Sequence, residues 1–196
     1  MASSRKNQAG ISLIEVLVSM LIVAFGVLGL AALQARSMNS EFESYQRSQA
    51  IILANDMVER IRMNRSAMGQ FKNISNATDG SGYLGTTTGA GSYTVDCTAT
   101  QAGKDLCAWS SLLQGAAQTN SSNTKIGAMI AARGCIFYDP TTEVSGIPDS
   151  GLFTVTVVWQ GGQATVAPSA NCGNGLYGSE SMRRAVSMSF RLGRLS

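Results

Sequence analysis

Gly10-Ile11-Ser12-Leu13-Ile14-Glu15 is the stretch of this chain whose residue types and spacing most clearly offer chemistry. It opens an apolar run that continues to Leu33, and Glu15 is the one carboxylate inside that run. A charge near the middle of a bilayer-length helix costs about 2.5–3.5 kcal/mol on insertion scales, so a carboxylate there calls for a cationic partner. Arg5 and Lys6 precede the run, and the next cation, Arg36, would lie about 30 Å from Glu15 along a helix rising about 1.5 Å per residue. Cleavage after Gly10 would create an α-amine on Ile11, one helical turn from Glu15 and cationic near neutral pH. Proteolysis would thus make the missing partner.

Other chemistries lack their residues. Histidine is absent from the 196 residues, which removes the commonest general base, the usual triad partner and most zinc sites. The glycine-rich stretches lack the strand-to-helix context of a phosphate loop or dinucleotide fingerprint, so no catalytic, cofactor-binding or metal-ligating residue is assigned, and the chain is not expected to be an enzyme. Cys97, Cys107, Cys135 and Cys172 are spaced too widely for paired zinc knuckles and fit disulfides in an oxidising compartment. Three connectivities are open. Pairing sequence neighbours, Cys97 with Cys107 and Cys135 with Cys172, is preferred because it joins a strand to its following helix and pins a loose loop to a strand. The formal charge of +3 includes Arg5 and Lys6, so a chain without them carries 13 Lys plus Arg against 12 Asp plus Glu. Nothing in that balance points to nucleic acid.

The elements that must position Glu15 follow from periodicity. From Ile11 to Leu33 the run is apolar all round and long enough to cross a bilayer. Arg5 and Lys6 keep the short leader cytoplasmic and place the bulk of the chain on the other side. A secretory signal peptide cut near Gly29-Leu30-Ala31 is the competing reading, but the run is longer than a signal's apolar region and contains Glu15. The helical period then continues in Ala50, Leu53, Ala54, Met57, Val58 and Ile61, one apolar stripe with no Pro or Gly between Leu30 and Met68 to break it. Residues 1–10 are therefore expected to be a processed leader, 11–65 a long helix with 11–33 in the membrane, and 66–196 a globular domain.

Within that domain, Gly69 to Ser92 and Gly115 to Lys125 read as polar loops, and Tyr93 to Thr98 as a short strand. Lys104 to Gln114 reads as a small helix with Trp109 on its apolar face. Strands are predicted at Gly134 to Tyr138, Leu152 to Trp159 and Arg183 to Leu192. In the second, Phe153, Val155, Val157 and Trp159 share the face turned to the long helix. Arg183 and Arg184 read as charges on a solvated sheet edge. The fold class is α+β, a long helix packed on a C-terminal antiparallel sheet.

A basic leader ending in Gly10, then Ile11-Ser12-Leu13-Ile14-Glu15 opening a long apolar helix, resembles the type IV prepilin signature. With the four-cysteine domain, the Trp109 helix and the Phe153 to Trp159 strand, the whole chain is similar to minor pilins of the PilV kind, in the ladle architecture of that family. The resemblance implies that a prepilin peptidase cuts between Gly10 and Ile11 and methylates Ile11, and that Glu15 docks on the N-terminal amine of a neighbouring subunit. It implies an inner-membrane protein with a periplasmic domain that later joins an extracellular pilus. Its partners would be other minor pilins, the major pilin and a tip adhesin, and its role the priming of pilus assembly, twitching motility and adhesion. A pseudopilin of a type II secretion system shares the Glu15 motif and is the alternative.

Overall fold

The computed structural model describes residues 12–72, 74–87, 89–115, 121 and 129–193. Gly10 and Ile11, the expected cleavage and methylation positions, lie outside the described residues, as do the leader and most of the predicted loop ending at Lys125. Two compact units divide the chain, residues 1–42 and 43–196.

Helix α1 (Leu13–Met63) supplies all but one of the described residues of the first unit. Its composition there favours helix but offers nothing to hide. Leu, Ile, Val, Met and Phe residues from Leu13 to Leu33 are each at least 42% exposed, and no residue of the window apolar enough to cross a membrane is buried in the protein. The core helix of a soluble protein would be mostly covered.

In the second unit α1 changes character because one stripe of it is buried, while Tyr45, Ile51, Ile52 and Met63 stay exposed. Ala50, Leu53, Ala54, Met57, Val58 and Ile61 are buried, as expected, and Gln46 joins them. The helix ends where Asn64 turns back: its side-chain amide donates to the Arg60 carbonyl at 3.0 Å and to Asp105 Oδ2 at 2.6 Å, satisfying a terminal acceptor. A 3-10 turn follows over Arg65–Phe71.

The stripe packs on an antiparallel sheet of four strands, β1 (Leu84–Gly85), β2 (Ile130–Asp139), β3 (Leu152–Gln160) and β4 (Arg183–Arg191), lying side by side in chain order. The α+β expectation holds. In β3, Phe153, Val155, Val157 and Trp159 share a core with the α1 stripe, while Thr154 and Thr156 face away and hydrogen-bond across to Ser189 and Ser187 of β4, each at 2.8 Å. Strand alternation thus separates the apolar face turned to α1 from a hydroxyl ladder on the opposite face, where Thr156 is itself fully buried. Register is continuous from Leu152↔Arg191 to Gln160↔Arg183.

Helix α2 (Gln101–Leu113) closes the core. It starts three residues earlier than predicted because the Thr100 hydroxyl caps it, accepting from the Gly103 N–H at 3.0 Å. Trp109 is fully buried, and its indole N–H donates to the Leu53 carbonyl of α1 at 2.8 Å. Beneath the ring, β2 carries Gly134, where any Cβ would run into Trp109.

Three expectations need correction. Tyr93 to Thr98 forms no strand: Asp96 Oδ1 accepts from the N–H groups of Thr98 and Ala99 at 2.8 and 3.3 Å, a local turn that outcompetes ladder pairing. The stretch from Gly69 to Ser92 is not simply a loop. It contributes β1 and buries Ile74, Tyr83 and Leu84, and the Ser75 hydroxyl donates to the Gly82 carbonyl and accepts from the Ile136 N–H of β2. Arg183 and Arg184 are no solvated edge either: Arg183 is 2% exposed. Nearby backbone carbonyls turned inward explain its burial, as described below.

Because Trp109 bridges α1, α2 and β2, Trp109→Ala should lower unfolding free energy by about 3–5 kcal/mol, the usual range for emptying a buried aromatic site. Urea unfolding of the detergent-solubilised chain, followed by circular dichroism, checks this; a loss under about 1 kcal/mol would show that the site collapses without penalty.

Candidate functional site

Ser12 starts α1, its carbonyl accepting from the N–H groups of Glu15 at 3.0 Å and Val16 at 3.4 Å. Glu15 therefore sits in the first turn, where a negative charge complements the helix dipole. The Ser12-x-x-Glu15 spacing is also that of a capping box, a local signal the sequence reading passed over. Glu15 is exposed and, among the described residues, forms no ion pair. Ser19, the other polar side chain early in the helix, satisfies itself by donating to the Val16 carbonyl at 2.9 Å. A Cβ added at Gly26 or Gly29 would meet nothing within 4 Å, so no contact among the described residues requires either glycine.

The second unit spends its charges internally. Arg183 donates to Glu180 Oε2 at 2.7 Å, to the Cys172 carbonyl at 3.1 Å and to the Ala170 carbonyl, drawing the 168–172 loop onto the start of β4. Arg184 reaches Glu43 Oε1 at 3.1 Å and the Gln163 carbonyl at 2.6 Å, and the same Glu43 oxygen accepts from the Gly162 N–H at 3.1 Å. Glu43 and Arg184 are far apart in sequence, and Arg183's carbonyl partners carry no side-chain signature, so neither role was readable locally. Arg133 lies between the rings of Tyr83 and Tyr177, with centroids 5.2 and 5.0 Å from its guanidinium carbon.

A groove of about 350 Å³ between α1 and α2 is lined by Asp56, Glu59, Arg60, Asn64 and Asp105 among others. Arg60 fills its electrostatic demand, pairing with Asp56 at 2.7 Å and Asp105 at 3.2 Å. The hydrogen bond to Asp56 leads the effects that raise the Arg60 pKa above its ordinary value. Among the described residues no cluster of three or more His, Cys, Asp or Glu side chains is arranged to hold a metal.

At the β2–β3 loop, Lys72 pairs with Asp149, lies 3.6 Å from Glu143, and sits 4.5 Å from the Tyr138 ring centroid. Tyr138 donates its hydroxyl to Glu143, whose carboxylate also accepts from the Asp149 N–H at 3.2 Å. The tyrosine hydrogen bond, then the backbone donor and Lys72, hold the Glu143 pKa below its usual value. The bond to Asp149 raises that of Lys72.

Disulfides join Cys97 to Cys107 and Cys135 to Cys172. The second holds the loop after β3 against β2, alongside Asn171 Nδ2, which donates to the Ala77 carbonyl at 3.0 Å.

Two family models match, without a gap between them. Residues 5–31 match the prokaryotic N-terminal methylation motif, and residues 32–108 match the family described as type IV pilin Tt1218. No curated protein and no solved structure gives a significant match. The matched region holds Gly10, Ile11, Glu15, all of α1 and the Cys97–Cys107 disulfide; β2, β3 and β4 lie beyond it.

The charge cluster on the β2–β3 loop gives an acid-dependence with a definite sign. A carboxylate whose folded pKa is depressed stabilises the fold above its ordinary value, 4.5 for Glu143, and that contribution disappears as pH falls through the lower folded value. Wild type should therefore exceed Glu143→Gln in urea midpoint at pH 6–7, with the two curves converging as pH drops below about 4.5. Parallel curves across that range would assign the titration elsewhere.

Proposed function

Because the chain belongs to the type IV pilins, we propose that it is a minor pilin of the PilV kind, which primes assembly of a pilus and is incorporated near its tip. As a pilin with the N-terminal methylation motif it is processed by a prepilin peptidase, anchored in the inner membrane through the apolar part of α1, and assembled with other pilins. The observation that carries the reading is the exposed apolar helix with an exposed carboxylate in its first turn that has no ion-pair partner among the described residues, inside the matched motif.

In this reading the peptidase cuts after Gly10 and methylates the amine of Ile11. Residues 11–33 wait in the bilayer with the 66–196 domain in the periplasm, then move into the filament core. Glu15 meets the cationic amine of a neighbouring subunit there. The low dielectric that makes a lone carboxylate unfavourable makes a paired one strongly directional, so Glu15 sets the register of the incoming subunit. The protein acts as a structural subunit rather than a catalyst, with other minor pilins, the major pilin and a tip adhesin as neighbours, and contributes to twitching motility and adhesion. The same motif serves a pseudopilin of a type II secretion system; presence in or absence from surface filaments separates the two.

Intact-mass and N-terminal analysis of protein from sheared, purified filaments tests this directly. A chain beginning at methylated Ile11 with all four cysteines oxidised is expected. Soluble protein cut near Ala31 and absent from filaments would return the apolar run to signal-peptide status. Glu15→Ala should insert in the membrane at normal levels yet enter filaments at least about tenfold less, the effect of losing about 1.4 kcal/mol of pairing. Unchanged incorporation would remove Glu15 from docking.

A further inference from the structure

The two disulfides occupy opposite environments. Cys135 and Cys172 are both fully buried, packed with Tyr83, Val158 and Tyr177. Cys97 is exposed on the turn before α2, and Cys107 is half-buried on α2 itself. Thiol–disulfide exchange requires a thiolate to approach one sulfur directly, so access decides which bond reacts. We propose that Cys97–Cys107 is an exchange site for an external dithiol, and that its opening releases residues 93–100 from the cavity they cover.

The chemistry balances with a dithiol reductant. Its thiolate attacks Cys97 Sγ, forming a mixed disulfide and expelling Cys107 as thiolate. The reductant's second thiol then closes on its own mixed-disulfide sulfur and releases the Cys97 thiolate. The dithiol becomes a disulfide, and its two electrons and two protons end on Cys97 and Cys107 as thiols. Lys104, exposed and one helical turn before Cys107, favours the departing thiolate.

What the bond holds is visible in the segment's hydrogen bonding. Tyr93 donates its N–H to the Tyr83 carbonyl at one end, and Thr100 caps α2 at the other. Between them, Asp96 Oδ1 bonds to Thr98 and Ala99, contacts that tie the segment only to itself. Tyr93, Val95, Asp96 and Thr100 line a cavity of about 340 Å³ together with Gln70 and Leu106, and Val95 also packs against the core. Leu106 is 3% exposed in the closed state. With the disulfide opened, the 94–99 stretch loses its covalent tie to α2 and uncovers that apolar floor. The site is thus a redox gate over an apolar surface.

The test uses the folded full-length chain in detergent micelles, incubated with dithiothreitol for increasing times, alkylated, and read by peptide mass together with hydrogen exchange. Cys97 and Cys107 should label at least about tenfold faster than Cys135 and Cys172, given the difference in access. Exchange should rise across 93–106 in the same samples while β2, β3 and β4 stay protected. Equal labelling rates, the reverse order, or labelling without faster exchange in 93–106 would overturn the proposal. The Cys97→Ser, Cys107→Ser double variant should show the elevated exchange without reductant, and native protection there would also overturn it. If that variant does not fold, the wild-type labelling order and exchange decide the matter.

Discussion

α1 exposes a long apolar surface among the described residues, and that exposure governs what the rest of the molecule must do. Hydrophobic burial is non-directional and proportional to area, so an apolar surface left open is satisfied by lipid or by another protein. From Glu43 onward the helix meets the sheet through a single buried stripe, and its other faces carry the charged residues together with exposed Tyr45, Ile51, Ile52 and Met63. From Leu13 to Leu33 the helix is apolar all round, and its large apolar side chains are exposed. One continuous helix thus carries two different kinds of surface.

The globular unit is organised around keeping the covered half covered. Trp109 joins α1, α2 and β2 through one ring and one hydrogen bond, and Gly134 leaves room for that ring by having no side chain. The sheet's inner face is alternately apolar along β3 and β4, so a one-residue slip would turn its core side chains outward. Polar interactions then fasten the irregular chain around this core. Arg183, Arg184 and the Cys135–Cys172 bond hold the loop after β3, while Lys72, Tyr138 and Glu143 brace the loop before it. Such fastening matters where long Gly- and Ser-rich connections have little apolar area of their own to bury.

The long helix, its stripe, the three main strands and the placing of Thr154 and Thr156 on the face opposite Phe153 and Val155 were all legible because each rests on a short-range period, 3.6 or 2 residues, that survives whatever the tertiary context. Their ends were less so. α2 begins at Gln101 because of Thr100, and β2 extends back to Ile130 through residues without strong strand character. The stretch Tyr93 to Thr98 has strand-like alternation, yet Asp96 offered its backbone a local partner first.

Sequence alone determined that this chain has a membrane-length apolar helix with a carboxylate at its start, a second amphipathic half, and alternating strands to receive it. These are properties of neighbours a few residues apart, and no folding is needed to see them. Tertiary structure alone decided that Arg183 is buried, that Arg184 reaches Glu43, that Arg133 lies between two tyrosines, and that one disulfide is sealed while the other is open to solvent. Each depends on a backbone carbonyl, a ring or a solvent boundary supplied by a distant segment. A side chain's identity names the bonds it can make, but only the folded chain determines which partners arrive and whether water is excluded when they do.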